Sequence, residues 1–266
     1  MTDPLSVVRD LRLRLEADRS LGLTGPLSIR VPADAPPGEK APPVPDRTLA
    51  TSEPAPAPTP APSPPPSPAA PSADERAQRQ ALLDEYAGVV SGCQECPLCE
   101  SRTQTVYGVG DPCARLMFIG EGPGFDEDRL GEPFVGKAGQ LLDRMIGAMG
   151  LARADVYIAN IVKCRPPNNR APNPRETMSC LPFLFRQIQT IAPEVIVTLG
   201  NTPTKTLLET EAGITRMRGK WQSFRDIPVR PTFHPAYLLR NPADKRLVWE
   251  DLQDVMAKLG FENPRQ

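Results

Sequence analysis

The chain is short of histidine, of long apolar runs and of net charge, and each shortage excludes something. A single histidine, His234, occurs in 266 residues, so no site can be built from two imidazoles, whether as a metal cluster or as a paired-His mechanism. No run of roughly 18 apolar residues is present, so no membrane span is expected. The N-terminus, Met1-Thr2-Asp3-Pro4, has neither the basic region nor the apolar run of a secretory signal. A cytoplasmic protein in a reducing compartment is the expectation, and its six cysteines then read as free thiols, metal ligands or catalytic groups before disulfides. The formal charge is −1 overall, with 7 basic and 10 acidic groups in residues 1–75 and 24 and 22 in residues 76–266. Contacts to a polyanion must therefore come from local placement of Arg and Lys.

What the chain has in excess is proline, and unevenly. Sixteen of the 34 prolines lie between Val31 and Ala73, among Ala, Ser and Thr and with almost no large apolar side chains. Such a stretch cannot offset the entropy of folding and reads as an extended, disordered linker over 31–73. Its Pro64-Pro65-Pro66 run fits a spacer better than an SH3 or WW ligand. Before it, Leu5, Val8, Leu11, Leu13 and Leu15 predict a short amphipathic helix in a tail over 1–30, either a marginal helix or a docking segment for a protein partner. Residues 74–266 are long enough to bury a core and are expected to form one folded domain.

In that segment, apolar strands alternate with helical periodicity. Strands are expected at 115–119, 156–159, 195–199 and 229–233, and helices at 74–90, 137–149, 175–191, 202–208 and 245–259. This alternation predicts a parallel sheet covered on both faces, with the ligand site at the carboxyl ends of the strands. Those ends carry Gly120-Glu121-Gly122, Asn160, Gly200-Asn201 and His234-Pro235.

Cys93-x-x-Cys96 precedes the first strand, and Cys164 and Cys180 follow the second. A Cys-x-x-Cys turn lets two thiolates bind one metal centre, and two more from a distant loop would complete a four-thiolate site. Zinc and iron–sulfur remain equal readings on thiolate count. Cys99 is a rival ligand at the same spacing, and Cys180 beside Leu181 and Leu184 is alternatively core. Two Gly-rich stretches resemble nucleotide loops without being them. Gly120-Glu-Gly-Pro-Gly124 lacks the dinucleotide spacing, and Gly131-Glu-Pro-Phe-Val-Gly136-Lys137 ends in Ala138 where a P-loop needs Ser or Thr. His234 and Asn160 sit just past strands. An imidazole can donate a proton or a hydrogen bond there, and an amide offers the donor and acceptor needed to read a base edge.

Four ordered motifs then resemble the family 4, thermostable-type uracil-DNA glycosylases: Gly120–Gly124, Gly131–Leu142, Asn160-Ile-Val-Lys-Cys-Arg-Pro-Pro167 and His234-Pro-Ala-Tyr-Leu-Leu-Arg-Asn-Pro242. The resemblance runs from about Cys93 to the end. It implies an α/β/α sandwich on a four-stranded parallel sheet, a 4Fe–4S cluster held by Cys93, Cys96, Cys164 and Cys180, and base excision repair on uracil-containing DNA. It further implies Phe134 stacking on uracil, Asn160 reading its edge, Gly122 allowing close approach and Glu127 crowding the 5-position. His234 would donate to O2, and Glu121 would stabilise the sugar cation or orient water. The second residue after Gly120, an Asp in family 1 enzymes, is Gly122 here, which leaves Glu121 as the expected base. Leu238, Leu239 and Arg240 would form the wedge that fills the gap in the duplex, with Arg218, Lys220, Arg240 and Lys163 against phosphates. Three rival readings make distinct demands. A covalent uracil-DNA trap needs a second histidine, which is absent, and a silent binding module would have lost Glu121, Asn160 or His234. A zinc-containing nucleic-acid-binding protein would lack iron–sulfur absorption.

Overall fold

A computed structural model describes residues 71–262. The expected tail helix and proline-rich linker lie outside the described residues. The chain enters through helix α1 (Ala73–Ser91), whose N-cap Ser72 accepts the amide of Glu75. It continues through β1 (Val109–Gly110), β2 (Leu116–Gly120), α2 (Phe125–Leu130), α3 (Lys137–Ala148) and β3 (Tyr157–Asn160). There follow α4 (Pro174–Ile191), β4 (Val195–Leu199), α5 (Asn201–Leu208) and α6 (Ile214–Met217), then β5 (Gln222–Phe224), β6 (Ile227–Thr232), α7 (Pro235–Arg240) and α8 (Lys245–Leu259).

The strands form one sheet in the order β1-β3-β2-β4-β6-β5. The four central strands are parallel, as expected, and share one register that brings Gly120 opposite Asn160 and Leu199 opposite Thr232. Two short antiparallel edge strands raise the total to six, where the sequence suggested four. Neither has an apolar run to announce it. β1 is two residues long, and β5 joins β6 through Arg225 and Asp226, both at positive φ (47° and 68°). That is the backbone of a two-residue hairpin turn, written here without the Asn-Gly or Asp-Gly pair that usually signals it.

Side chains alternate across the central strands, and both faces are buried. Met117, Ile119, Ile196 and Val229 pack under α1 and α4 with Leu83, Val90, Leu184 and Ile188. Phe118, Ile158, Val197 and Leu199 pack under α3 and α8 with Leu142, Ile146, Leu252 and Val255. Each such aliphatic or aromatic side chain contributes about 1.5–3 kcal/mol by leaving water. Helix α4 starts where it does because of its cap: Asn173 Oδ1 accepts Glu176 N at 2.9 Å while Glu176 Oε2 accepts Asn173 N at 2.8 Å, with Pro174 at the first helical position. Because the four parallel strands point one way, the residues that follow β2, β3, β4 and β6 meet along one edge.

Candidate active site

A cleft of about 600 Å³ opens at that edge. Its walls include Glu121, Gly122, Glu127, Phe134, Asn160 and His234, so the loops after β2, β3 and β6 all reach it. Convergence is tightest over Gly120, where an added Cβ would collide with Asn160 Oδ1 and with the Phe134 ring. Phe134 holds φ +54°, and its carbonyl lies where any side chain on Gly139 would have to be, so the loop is pressed onto the first turn of α3. A bulky residue held at positive φ stores strain, and here the strained residue faces the cleft. The Phe134 and His234 rings lie 5.6 Å apart, inclined at 33°.

Asn160 closes β3 and is 2% exposed. Its Oδ1 is buried without a hydrogen-bond partner. An unsatisfied buried acceptor costs about 1–3 kcal/mol, which a ligand donor would recover. His234 caps α7: its Nδ1 accepts the amide of Ala236 at 3.1 Å. A neutral imidazole that accepts at Nδ1 must carry its proton at Nε2, so it is a donor at that nitrogen. Burial, with the nearby Arg240 charge, pushes its pKa down to about 4, against a smaller opposing pull from Glu127. His234 is therefore neutral at physiological pH.

The two glutamates of the cleft play unlike parts. Glu121 lies on the cleft wall and accepts the hydroxyl of Thr202, the second residue of α5. Glu127 turns its carboxylate into the backbone, accepting Gly124 N at 3.1 Å, Val135 N at 2.9 Å and Gly136 N at 3.0 Å. It thereby staples the loop after β2 to the loop that carries Phe134. Gly122 also lines the cleft, and a Cβ there would come within 2.7 Å of Val162 Cγ2.

Three expectations need correction. Leu238 is 1% exposed and packs in the core beneath α7, whereas Leu239 is 42% exposed and Arg240 is exposed beside the cleft. Consecutive residues on a helix face about 100° apart, so the three could not all point outward. Lys163 is wholly buried, so it cannot meet a phosphate; burial lowers its ammonium pKa to about 7. Arg218 is occupied by Asp251, with contacts of 3.1 and 3.2 Å, and by the Leu247 carbonyl at 2.7 Å. Lys220 is exposed. Sequence reasoning gave no role to Lys137, which lines the cleft as Arg240 does. Its place in an incomplete P-loop pattern drew attention away from its charge.

A second, smaller cavity lies on the α1/α4 side of the sheet. Cys93, Cys96, Cys164 and Cys180 line it, and Cys99 shares the wall; Cys113 does not. No disulfide joins any of the six cysteines. Desolvation raises the pKa of Cys93, Cys96 and Cys164 and pushes Cys180 up to about 12, outweighing the opposing pull of Arg102 on Cys93 and Cys164 and of Lys163 on Cys180. N–H groups are aimed at two of these sulfurs: Arg102 Nη1 at Cys164 Sγ and Lys163 N at Cys180 Sγ, each 3.2 Å away. Arg102 also donates to the carbonyls of Cys93 and Ser91, clasping the arm to the loop after β3. Nothing in the pattern around Arg102 marked it beforehand. Among the described residues no three His, Cys, Asp or Glu side chains are grouped to hold a single metal ion. The thiols instead share a cavity wall.

The same residues fall inside a family match. Residues 107–253 fit the model of the "Uracil DNA glycosylase superfamily". A type-4 uracil-DNA glycosylase of Thermotoga maritima is 45% identical over 185 residues, which cover 67% of this chain and 95% of that protein. Those of Sulfurisphaera tokodaii and Saccharolobus solfataricus are each 45% identical, over 182 and 186 residues, covering 65% and 66% of this chain and 83% and 86% of theirs. With its parallel sheet, its cleft at the strand ends and these relatives, the chain belongs to the uracil-DNA glycosylase superfamily, among the type-4 enzymes.

Proposed function

We infer that the protein takes uracil out of DNA and hydrolyses its N-glycosidic bond, leaving an abasic site. The observation that carries this reading is the meeting of an aromatic ring, an unpartnered amide oxygen and a neutral imidazole in one cleft. A base extruded from the duplex presents one face and one edge to such a pocket. Phe134 stacks on the face. Asn160 reads the edge: its Oδ1 accepts the N3–H of uracil, and its amide N–H donates to O4. Cytosine presents an acceptor at N3 and a donor at the 4-position, so both contacts fail. Gly122 lets the main chain approach the ring closely. Glu127, fixed by three amides, walls the side where thymine carries its methyl.

Bond cleavage sends the electron pair of the C1′–N1 bond onto uracil and leaves positive charge on the sugar. His234 Nε2–H is aimed to stabilise the charge on O2, and a neutral donor suits this role because it does not trap the product as a strong ion pair. The Glu121 carboxylate, held from one side by Thr202, stabilises the sugar cation or orients the water that adds to C1′. Leu239 is the wedge that enters the stack, and Arg240 and Lys137 are the cations placed to meet phosphates at the mouth.

Cys93, Cys96, Cys164 and Cys180 would hold a 4Fe–4S cluster, and the all-sulfur donor set with N–H groups turned towards sulfur fits such a group. When bound, it would join the segment after α1 to the loop after β3 as a structural clasp. Residues 74–266 act as the catalytic unit, in the cytoplasm and as a monomer, while residues 1–30 are left to engage a separate protein.

The test is incubation with a uracil-containing oligonucleotide followed by alkali. Scission at the uracil position is expected, with none on the matched thymine or cytosine strand. An intact uracil strand from brown, folded protein would overturn the reading.

A further inference from the structure

The amide oxygen assigned to the base edge has no partner of its own, so its aim depends on the main chain that carries it. That main chain is held from behind by an unusual group. Lys163 is among the largest fully buried side chains of the described residues, and its Nζ donates to the carbonyl oxygen of Asn160 at 2.8 Å and to Gln187 Oε1 at 2.5 Å. Gln187 is itself locked, its Nε2 donating to the Tyr107 carbonyl at 2.8 Å and to Tyr157 Oη at 3.2 Å. The Tyr107 ring lies 5.6 Å from the ammonium.

A buried amine carries a desolvation penalty whether or not it is protonated, and an apolar side chain of similar length would fill this space without it. Packing therefore does not explain Lys163; what it supplies is a link from the Asn160 carbonyl to the fixed Gln187 amide, over the Tyr107 ring. Its other end is just as constrained. The Lys163 amide donates to Cys180 Sγ at 3.2 Å, its carbonyl accepts Val106 N at 2.8 Å, and the next residue is Cys164. One residue thus touches both the thiol cavity and the backbone of the base-reading amide.

We propose that Lys163 is a positioning residue that fixes the aim of Asn160 and ties it to the thiol cavity on the far side of the sheet. The proposal rests on Asn160 reading the base, and it gives the clasp of thiols a task at the active cleft: holding the loop after β3 so that the amide faces the ligand. Lys163 touches no substrate atom.

The experiment is a double-mutant cycle on the full chain, with Lys163→Met, Asn160→Ala and both together. Inhibition by free uracil, kcat and KM on a uracil oligonucleotide, visible absorbance near 400 nm and the unfolding transition are measured for each. Lys163→Met alone is expected to weaken uracil inhibition and lower kcat about 10- to 100-fold, as a misplacement of order 1 Å would, with absorbance and unfolding close to wild type. In the Asn160→Ala background the same change is expected to add almost nothing, because the group it aims is gone. Wild-type uracil inhibition in Lys163→Met, or a full further loss in the double variant, overturns the proposal. Should Lys163→Met not fold, Gln187→Met removes one partner of the ammonium and is read in the same cycle: a loss that vanishes in the Asn160→Ala background supports the proposal, and no loss overturns it. If Asn160→Ala itself binds uracil normally, it is the base-reading role of Asn160 that has failed, a result distinct from failure of Lys163 alone.

Discussion

At the scale of single residues, the cleft is specified by groups whose hydrogen-bond capacity is either spent or conspicuously unspent. Asn160 Oδ1 is unspent and His234 Nδ1 is spent on Ala236 N, which determines where each can serve a ligand. His234→Ala is expected to lower excision by about 10²–10³-fold, the scale of losing one donor to a developing anion, with no loss of fold; single-turnover rates and circular dichroism on one preparation check both parts. The low pKa also sets a pH dependence. Between pH 6.5 and about 4 the unfolded chain binds a proton at this histidine and the folded chain does not. Its contribution to stability is therefore complete above pH 6.5 and declines as the pH falls through that window, and excision should show no loss near pH 6.5 from this group. A kcat profile with an inflection near 6.5 that disappears in His234→Gln would contradict this. Thr202→Val, which removes the hydroxyl held by Glu121, is expected to lower kcat about 10-fold while leaving KM within error.

At the scale of elements, α7 shows how far the sequence could be read. His234-Pro235 after a strand marked the site, because proline at the first helical position and a capping side chain before it are visible in one line of letters. Which of Leu238 and Leu239 faces outward was not visible, since that depends on the angle at which a six-residue helix meets α3. Leu238→Ala should accordingly cost about 2–5 kcal/mol of stability. Leu239→Ala should leave the unfolding midpoint unchanged and weaken excision more from duplex than from single-stranded DNA. Denaturant titrations beside paired single- and double-strand assays separate the two, and a reversal of these roles would refute the assignment. The central strands were legible because burial on both faces makes them unbroken apolar runs. β1 and β5 were not, because edge strands of two and three residues form by pairing and not by composition. Lys163 misled for a related reason: a lysine reads as surface until the Gln187 amide and the Asn160 carbonyl are seen around it. The cysteine spacing pointed to the cavity wall that Cys93, Cys96, Cys164 and Cys180 share, although Arg102, which grips the Cys93 carbonyl and the Cys164 sulfur, had no local signature.

At the scale of the whole molecule, the loop that leaves β3 borders two sites, the cleft at the strand ends and the thiol cavity. The cleft takes its side chains from the ends of β2, β3 and β6, while Cys93, Cys96 and Cys164 line a cavity between the segment after α1 and the loop that leaves β3. Removing residues 1–73 is expected to leave excision in vitro within about two-fold, since every group assigned a role in excision lies beyond them; a large loss would assign the tail to the catalytic unit. Replacing Cys164 by Ser is expected to abolish absorbance near 400 nm and lower the unfolding temperature. Colourless wild-type protein with one bound zinc would instead make the thiol site a zinc centre. The central claim is that Phe134, Asn160 and His234 form one receptacle for an extruded uracil. It is tested most directly by measuring free uracil released from a uracil-containing strand by the wild type and by Asn160→Ala under single-turnover conditions. Stoichiometric uracil from the wild type, and a rate at least about 100-fold lower from a folded Asn160→Ala, is the result predicted; equal rates from the two proteins would contradict it.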